Sequence, residues 1–381
     1  MNGSSFGNYF KITTFGESHG AALGVIVDGC PAGIPLSAEY IQTFLDRRKP
    51  GQNIYSTPRK ESDLVEILSG VFEGKTTGTS IALLIRNESQ RSGDYSEIAS
   101  YYRPGHADFT FDAKYGFRDY RGGGRSSGRE TAARVAAGAI ACALLNELGI
   151  QVCAYAKSIH SNVCFDTKDY LAERYSIDEL VTMRDQSPLN MPDAEASAKA
   201  EAFLNKMREE HNSVGGTIEC VLTGLPAGLG DPVFEKFDAR LAHAMLSMGA
   251  VKGFEIGSGF DAALLTGTEQ NDAFFTAENG CIKKRTNRAG GVLGGMTDGS
   301  DVLFRVAVKP TPSVYAPQET VKKDGSSYTC QITGRHDPII VSRAVVVVEC
   351  MAALTAADAL LSNLGSKLEH LKKIYARETT S

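Results

Sequence analysis

The residues best suited to chemistry lie in one short stretch, Arg118 to Arg134, which reads RDYRGGGRSSGRETAAR. Its three consecutive glycines let backbone amides approach a phosphate closely. The serines at 126 and 127 precede an alanine-rich segment typical of a helix, whose N-terminus offers free N–H groups and a favourable dipole. Arginines add positive charge and paired donors. The stretch therefore predicts a site for a phosphate or a phosphorylated cofactor.

Other ligand classes are less consistent with this stretch. It lacks the Gly-Lys-Ser/Thr of a Walker loop and the spacing of a dinucleotide-binding fingerprint. An RNA-binding segment of the RGG type is an alternative, but such segments normally repeat in disordered basic tails, whereas this one occurs once beside a predicted helix. A small phosphorylated ligand is therefore favoured.

Two histidines occupy glycine-containing turns. His19 lies within TFGESHG, and His106 shares a Pro-Gly turn with Arg103 in YYRPGHAD. Taken alone, His19 is more typical of a hydrogen-bonded turn residue, and the window around His106 fits a functional turn and an ordinary surface loop equally well.

Three later segments add polar groups. Residues 287–299 (NRAGGVLGGMTDG) form a second glycine-rich run, and residues 309–313 (KPTPS) follow a predicted strand; both are also compatible with plain turns. Gly334 to Pro338 (GRHDP) groups a guanidinium, an imidazole and a carboxylate, and a structural salt bridge between Arg335 and Asp337 is the alternative there.

Composition limits the class of protein. The chain has 381 residues, 42% hydrophobic and 22% charged, which is typical of a globular fold with a substantial core. Its net charge of −5 does not favour nucleic acid or a membrane as the main partner, so any anion site must be local. The eight cysteines contain no CxxC pair, which argues against a zinc site or a disulfide framework. The N-terminus does not resemble a secretory signal, and we expect a cytoplasmic protein.

Periodicity and turn residues predict several elements. Strands are expected at residues 24–29, 80–86 and 302–309. Helices are expected after Ser37 as far as Pro50-Gly51, after Asp238 with Gly249 as a left-handed cap, and from Ser126 or Ser127 to Leu148. The apolar stretch Ala344 to Leu361 contains Glu349 and Asp358, and it is predicted to be buried structure rather than a bilayer span.

One sequence pattern occurs twice. Residues 25–34 and 220–229 each read as a strand, then Gly-x-Pro-Ala-Gly, then a helix. We interpret the chain as a single unit, 1–381, made of two related α+β halves at about 1–200 and 201–381, with chance reuse of a turn sequence as the alternative.

Taken together, these segments resemble the chorismate synthase family over nearly the whole chain, from Phe6 to about Glu349. The three family signatures occur in the expected order, the first in Gly16 to Gly20 continuing to Asp28-Gly29-Cys30-Pro31, the second in Gly124 to Ile140, and the third from Arg335 to Pro338.

The resemblance implies an α+β fold, a β-α-β sandwich with a helical layer between two antiparallel sheets and internal pseudo-duplication. It implies a homotetramer with reduced FMN bound near subunit contacts, and no nucleic-acid or membrane partner. The implied reaction is a 1,4-anti elimination of phosphate from 5-enolpyruvylshikimate 3-phosphate, which gives chorismate without net redox change. Whether such a protein reduces its flavin with NADPH or depends on an external reductase stays open.

The resemblance also implies roles for single residues. His19 would protonate or hydrogen-bond the departing phosphate, His106 would balance charge beside the reduced flavin, and Asp337 would lie near flavin N5. The residues implied for FMN are Arg125, Ser126, Ser127, Ala250, Gly294, Lys309, Pro310, Thr311, Pro312, Ser313 and Arg335. The arginines implied for the substrate are Arg48, Arg103 and Arg134.

The sequence departs from the family pattern at three positions. Ile54 stands where many relatives have arginine, Gly249 replaces a frequent asparagine, and Ile339 is bulkier than the usual small residue. The first two motivate an alternative function, a phosphate- or nucleotide-binding regulatory protein that has kept the arginines but lost catalysis.

Overall fold

The computed structural model describes residues 3–51, 55, 62–87, 96–165, 175–331 and 337–376. Within them the chain folds as an α+β protein with two five-stranded antiparallel sheets. In the first sheet the strands lie in the order β1, β2, β3, β7, β4, with bounds Ser5–Phe6, Lys11–Gly16, Ala22–Asp28, Ile81–Arg86 and Val65–Ile67. In the second they lie in the order β11, β16, β10, β8, β9, with bounds Val251–Ile256, Val302–Val308, Gly216–Thr223, Gln151–Ile159 and Asn162–Val163.

Four two-stranded hairpins complete the described strands. They pair Val71–Phe72 (β5) with Lys75–Thr76 (β6), Phe274–Thr276 (β12) with Ile282–Lys284 (β13), Val292–Leu293 (β14) with Met296–Thr297 (β15), and Gln318–Val321 (β17) with Ser327–Cys330 (β18). The strands predicted at 24–29, 80–86 and 302–309 are confirmed as β3, β7 and β16. Strand β7 shows the reason, since Ile81, Leu83 and Ile85 alternate with less buried neighbours and line one face.

The described helices are α1 (Ala38–Arg48), α2 (Ser96–Ser100), α3 (Asp108–Tyr115), α4 (Thr131–Glu147), α5 (Ile177–Gln186), α6 (Ala194–Glu209), α7 (Phe237–Leu246), α8 (Gly267–Gln270), α9 (Val341–Ser362) and α10 (Leu368–Tyr375). Helix α1 confirms its prediction, because the Ser37 side chain accepts from the N–H of Tyr40 while Ile41 and Leu45 are buried. Its last two residues are Arg47 and Arg48, so cations lie where the helix dipole is negative.

Helices α4 and α9 are the two long core helices and pack on each other. Helix α4 also packs against β3 of the first sheet, and α9 packs against β8 and β10 of the second. Among the described residues, the helix at Val341–Gly365 alone is long and apolar enough to cross a membrane, and 83% of its most apolar stretch is buried inside the fold. The prediction of buried structure for this segment is confirmed, and Glu349 within it pairs with Arg47.

Two helix predictions need correction. Helix α7 begins at Phe237, so Asp238 lies in its first turn rather than at its cap, and the residue with positive φ is Ala250 (φ 71°), not Gly249. Helix α4 begins at Thr131 rather than at Ser126 or Ser127, because residues 124–126 and 128–130 form two 3-10 turns. Contacts with distant residues, described below, stabilise those turns.

Along the chain, the last described strand of the first sheet is β7, which ends at Arg86, and the first strand of the second sheet is β8, which begins at Gln151. The repeated Gly-x-Pro-Ala-Gly turns have matching bonds. The Thr76 hydroxyl donates to the carbonyl of Pro31 at 2.7 Å, and the Thr297 hydroxyl donates to the carbonyl of Pro226 at 2.6 Å. The two sheets therefore share this turn geometry, and each has its central strand, β3 or β10, beside the last strand of the sheet, β7 or β16. Their orders differ at the opposite edge, where β1 precedes β2 in the chain but β9 follows β8.

Candidate active site

The His19 loop, residues 17–20 between β2 and β3, lies against the glycine-rich stretch. A Cβ atom at Gly122 would lie 2.2 Å from Nδ1 of His19, so only glycine permits this approach. Nδ1 also lies 3.1 Å from the hydroxyl oxygen of Ser18. The imidazole is therefore held by its own loop and by the backbone of residue 122.

Arg125 fastens the glycine-rich stretch to the first sheet. Its Nη1 atom donates to the carbonyl of Gly16 at 3.2 Å, and its Nη2 atom donates to the hydroxyl of Thr14 at 2.7 Å. The Ser126 hydroxyl donates to the carbonyl of Gly123 at 2.7 Å, and the Ser127 side chain accepts from the N–H of Arg129. These contacts tie the 3-10 turns of residues 124–130 to the strand that precedes His19.

A buried carboxylate joins two arginines beside this loop. Asp63 lies 3.2 Å from Nη2 of Arg48 and 2.5 Å from Nη1 of Arg129, and all three side chains are buried. Arg48 also donates to the carbonyl of Arg129 at 3.3 Å, next to the start of α4. Asp63 has φ 48°, a left-handed conformation that aspartate tolerates better than most residues.

Asp337 lies close to this arginine pair. It forms an ion pair with Arg343 in the first turn of α9, and Nε of Arg343 donates to the carbonyl of Arg48 at 3.1 Å. The Arg335 and Ile54 predictions lie outside the described residues, as does His336. Ile339 is 1% exposed, so the fold accommodates its bulk in the core.

The His106 turn packs on the KPTPS segment, residues 309–313. Nε2 of His106 lies 2.9 Å from the Ser313 hydroxyl, and Nζ of Lys309 donates to the carbonyl of Gly105 at 3.1 Å. A Cβ atom at Gly105, where φ is 70°, would lie 2.7 Å from Cβ of Pro312. The structure thus brings together two segments about 200 positions apart in the chain.

The residues described so far form two groups. The first contains the His19 loop with its arginines and Asp337, the second contains the His106 turn with KPTPS, and the loop before β10 connects them. The Ser213 hydroxyl donates to the carbonyl of Thr311 at 2.7 Å, and the next residue, Val214, donates its N–H to the carbonyl of Pro338 at 3.0 Å. KPTPS and Asp337 therefore lie side by side. From Asp337, a chain of contacts passes through Arg343, in the first turn of α9, and Arg48 to Arg129. Arg129 lies just before α4 and near the His19 loop.

Arg103 and Arg134 each form an ion pair with a carboxylate. Arg103 donates two bonds of 2.8 Å to Asp108. Burial raises the pKa of Asp108, but the bonds and charge of Arg103, with Arg118 nearby, lower that pKa below its ordinary value. Arg134 donates from Nε to Glu130 at 2.8 Å and from Nη1 to the Ser247 hydroxyl at 2.7 Å, and so connects α4 to the end of α7.

Ala250 follows the end of α7 and joins the second group, because its carbonyl accepts from the N–H of Lys309 at 2.9 Å. Among the described residues, Gly294 forms no hydrogen bond with either group. It lies in the β14–β15 hairpin beside the first residue of α7, where the N–H of Phe237 donates to the carbonyl of Gly295.

Sequence reasoning missed four residues that organise this site: Asp63, Asn87, Arg129 and Arg343. Arg129 lies in the stretch that was singled out, but nothing in its type distinguishes it from Arg125 or Arg134. Asp63 and Asn87 occur in unremarkable polar sequence, and Arg343 lies in an apolar run. Asp63 is 15 positions from Arg48 and 66 from Arg129, Asn87 is 42 from Arg129, and Arg343 is 295 from Arg48.

The comparisons with known proteins decide the family. The family model described as chorismate synthase matches residues 10–361. The chain belongs to the chorismate synthase family. It is therefore a lyase of the shikimate pathway, in aromatic amino acid biosynthesis, that eliminates phosphate from 5-enolpyruvylshikimate 3-phosphate to give chorismate.

Individual relatives cover nearly the full chain. The chorismate synthase of Lachnoclostridium phytofermentans is 62% identical over 99% of this chain and 100% of its own length. That of Methanocella arvoryzae is 51% identical over 95% of each chain. A crystal structure of a chorismate synthase superposes with a TM-score of 0.77 at 34% identity, covering 96% of each chain.

Proposed function

We propose that the flavin used by this protein is FMN in its reduced form, and that KPTPS with Ala250 and the residues 125–127 contact it. The fit is supported by one atom, the Thr311 hydroxyl oxygen, which is buried without a hydrogen-bond partner among the described residues. A buried polar group without a partner is costly, and a polar ligand atom removes that cost. Lys309 beside it supplies the positive charge that a phosphorylated ligand prefers.

Reduced flavin, when bound, supplies electron density to the substrate as phosphate departs and recovers it afterwards. His106 and Asp337 are the protein groups we assign to it, His106 to balance charge and Asp337 to act near N5. The contact chain from Ser313 through Thr311, Ser213 and Val214 to Pro338 supports this pairing, because it places both residues beside one segment. The Gly294 and Arg335 assignments remain part of the proposal.

His19 is assigned to the leaving phosphate, as its proton donor or hydrogen-bond donor. Histidine changes charge near neutral pH, which suits it to proton transfer under working conditions. The loop of His19 lies next to Arg129 and hence to Arg48. These contacts support a site near the start of α4 in which the imidazole and the two guanidinium groups act together.

The arginines supply the charge for a substrate that carries one phosphate and two carboxylates. We assign Arg48, Arg103 and Arg134 to it, and the structure adds Arg129 as a neighbour of Arg48. Guanidinium groups offer planar, paired donors that match carboxylate and phosphate oxygens. The ion pairs with Asp63, Asp108 and Glu130 fix the directions in which those donors point.

The architecture and setting belong to the same proposal. We propose a β-α-β sandwich of two related halves, supported by the two five-stranded sheets and the matched Thr76 and Thr297 turns. We also propose a cytoplasmic homotetramer. In one version of this scheme the protein reduces its own flavin with NADPH. An assay with NADPH as the sole reductant tests that version.

The deciding experiment is an anaerobic assay with reduced FMN and 5-enolpyruvylshikimate 3-phosphate, in which chorismate and phosphate are measured together. Equal amounts of both products are expected. The variants His19→Ala and His106→Ala should each lose most of their turnover while their circular dichroism spectra match the unmodified protein. Near-normal rates in both variants would refute the two histidine assignments, and tight FMN binding without elimination would favour a regulatory protein instead.

A further inference from the structure

Asn87 follows directly after β7, and its side chain contacts two separate parts of the site. Its Nδ2 atom lies 3.0 Å from the carbonyl oxygen of Glu17 and 2.8 Å from that of Gly20, so it bonds both ends of the His19 loop. Its Oδ1 atom accepts from Nε of Arg129 at 2.6 Å. One amide therefore joins the loop to the arginine.

The chemistry of the three partners fixes the orientation of this amide. Carbonyl oxygens only accept and a guanidinium only donates, so the nitrogen must face Glu17 and Gly20 while the oxygen faces Arg129. A flipped amide would oppose like atoms at all three contacts. The short amide side chain of Asn87 carries one donor group for the two carbonyls and one acceptor group for the guanidinium, so it matches all three partners.

Asn87 is itself held in place by the sheet. Its backbone N–H donates to the carbonyl of Ala21 at 3.1 Å, at the start of β3. The loop is closed by a bond from the N–H of Gly20 to the carbonyl of Glu17, also 3.1 Å. The His19 loop is thus a compact turn fastened at its two ends to a residue with a fixed backbone.

On the other side, Arg129 leads to the second arginine. Asp63 bonds Arg129 and also pairs with Arg48, so Asn87, Arg129, Asp63 and Arg48 form a continuous chain of contacts. A shift of the amide would change the distance between His19 and the two guanidinium groups. We propose that Asn87 is a positioning residue, which holds the His19 loop at the distance from Arg129 and Arg48 that lets all three act on one phosphate.

This inference rests on the proposed role of His19 and names a residue through which that role is organised. The reason for a large effect is geometric, since a displacement of about 1 Å between reacting groups costs about 100-fold in rate. The bonds from Asn87 to the His19 loop are with its backbone, so a change at residue 87 leaves the imidazole of His19 chemically unaltered.

The first test variant is Asn87→Asp. It keeps the size of the side chain and an oxygen for Arg129, but it replaces the donors by an acceptor that repels the carbonyls of Glu17 and Gly20. We expect kcat to fall about 100-fold, with FMN affinity and the thermal midpoint little changed. The matched control is Asn146→Asp, an exposed position in the last turn of α4 about 25 Å further along that helix from Arg129, which should keep normal turnover.

A double-mutant cycle with His19→Ala separates positioning from a general structural role. If Asn87 acts through His19, Asn87→Asp should cost little further rate in the His19→Ala protein. Equal losses in both backgrounds would overturn the positioning role while leaving that of His19 intact. A near-normal rate for His19→Ala alone would overturn the role of His19 and this inference with it. If Asn87→Asp fails to fold, Asn87→Ala takes its place in the same cycle, with the same outcomes.

Discussion

The Nε2 atom of His106 lies 2.9 Å from the hydroxyl oxygen of Ser313, while its Nδ1 atom lies 3.0 Å from the carbonyl oxygen of Pro104. A carbonyl only accepts, so in the neutral ring the proton of that contact belongs to Nδ1, and Nε2 accepts from Ser313. The ring is therefore oriented from both sides. The carbonyl of Pro104 therefore sets the tautomer, and the hydroxyl of Ser313, in the distant KPTPS segment, bonds the other ring nitrogen.

Removing the Ser313 hydroxyl tests this arrangement. In Ser313→Ala the imidazole loses one of its two fixed contacts, and we expect FMN to bind about fivefold more weakly, which corresponds to one ordinary hydrogen bond. Titration of FMN fluorescence measures the change. The control Ser326→Ala removes a hydroxyl that bonds the local Asp324 in the β17–β18 turn, and it should leave the affinity unchanged. Equal affinities in all three proteins would contradict the role of Ser313.

Gly122 offers a steric test of His19. Because a Cβ atom there would lie 2.2 Å from Nδ1, Gly122→Ala must displace the imidazole, and we expect kcat to fall about 100-fold. The control is Gly267→Ala, where no atom lies within 4 Å of the added carbon. Phosphate release under anaerobic conditions gives both rates. Normal turnover in the Gly122 variant would show that the position of His19 is unimportant.

Local sequence patterns predicted the strands and helix α1 well, because these elements are determined by residues close to one another in the chain. Alternating burial in β7 and the Ser37 cap depend on neighbours within a few residues. The start of α4 was placed too early because residues 124–130 are shaped by distant partners, such as Thr14 for Arg125 and Arg48 for the carbonyl of Arg129. Ala250 adopts the left-handed conformation expected of Gly249, and residue type alone favoured the glycine.

The difference between local patterns and distant contacts also explains which parts of the site could be predicted from the sequence. Glycine-containing turns and clustered arginines are recognisable as types, so the segments that hold His19, His106, Arg48 and Arg125 were singled out, while the roles of these residues came from the family resemblance. Asp63 and Asn87 have no distinguishing neighbours in the sequence. Their importance lies in contacts that only the folded chain forms, at separations of 66 and 42 positions from Arg129.

Arg48→Lys tests the buried arginine pair. Lysine carries the same charge but cannot span Asp63 and the carbonyl of Arg129 with a planar, paired group. We expect the KM for 5-enolpyruvylshikimate 3-phosphate to rise about tenfold, as for the loss of a charged hydrogen bond, with a smaller change in kcat. The control Arg86→Lys alters an exposed pair with Glu66 and should leave KM unchanged. An unchanged KM in the Arg48 variant would remove this residue from substrate binding.

The ion pairs of Glu349 allow the contribution of a buried charge to stability to be measured. It lies in the middle of α9 and bonds Arg47 through both carboxylate oxygens, at 2.6 and 3.0 Å, and Arg184 at 2.9 Å. Burial raises the pKa of Glu349, but the charges and bonds of Arg47 and Arg184, with the N–H of Ala154, lower it below the ordinary value. The stabilisation is therefore present above the ordinary glutamate pKa of about 4.3 and is lost as the pH falls through the lower value of the folded state.

Glu349→Gln should consequently lower the free energy of unfolding by about 3 kcal/mol at pH 7, since the buried guanidinium of Arg184 and the half-buried one of Arg47 lose their carboxylate. The unmodified protein should approach the variant as the pH falls below about 4, because protonation then removes the same charge. Urea unfolding at a series of pH values measures the two curves. The control Glu195→Gln breaks an exposed pair with Lys199 and should follow the unmodified protein. A constant difference between Glu349→Gln and the unmodified protein at every pH would mean that the carboxylate stabilises the core through its shape and not through its charge.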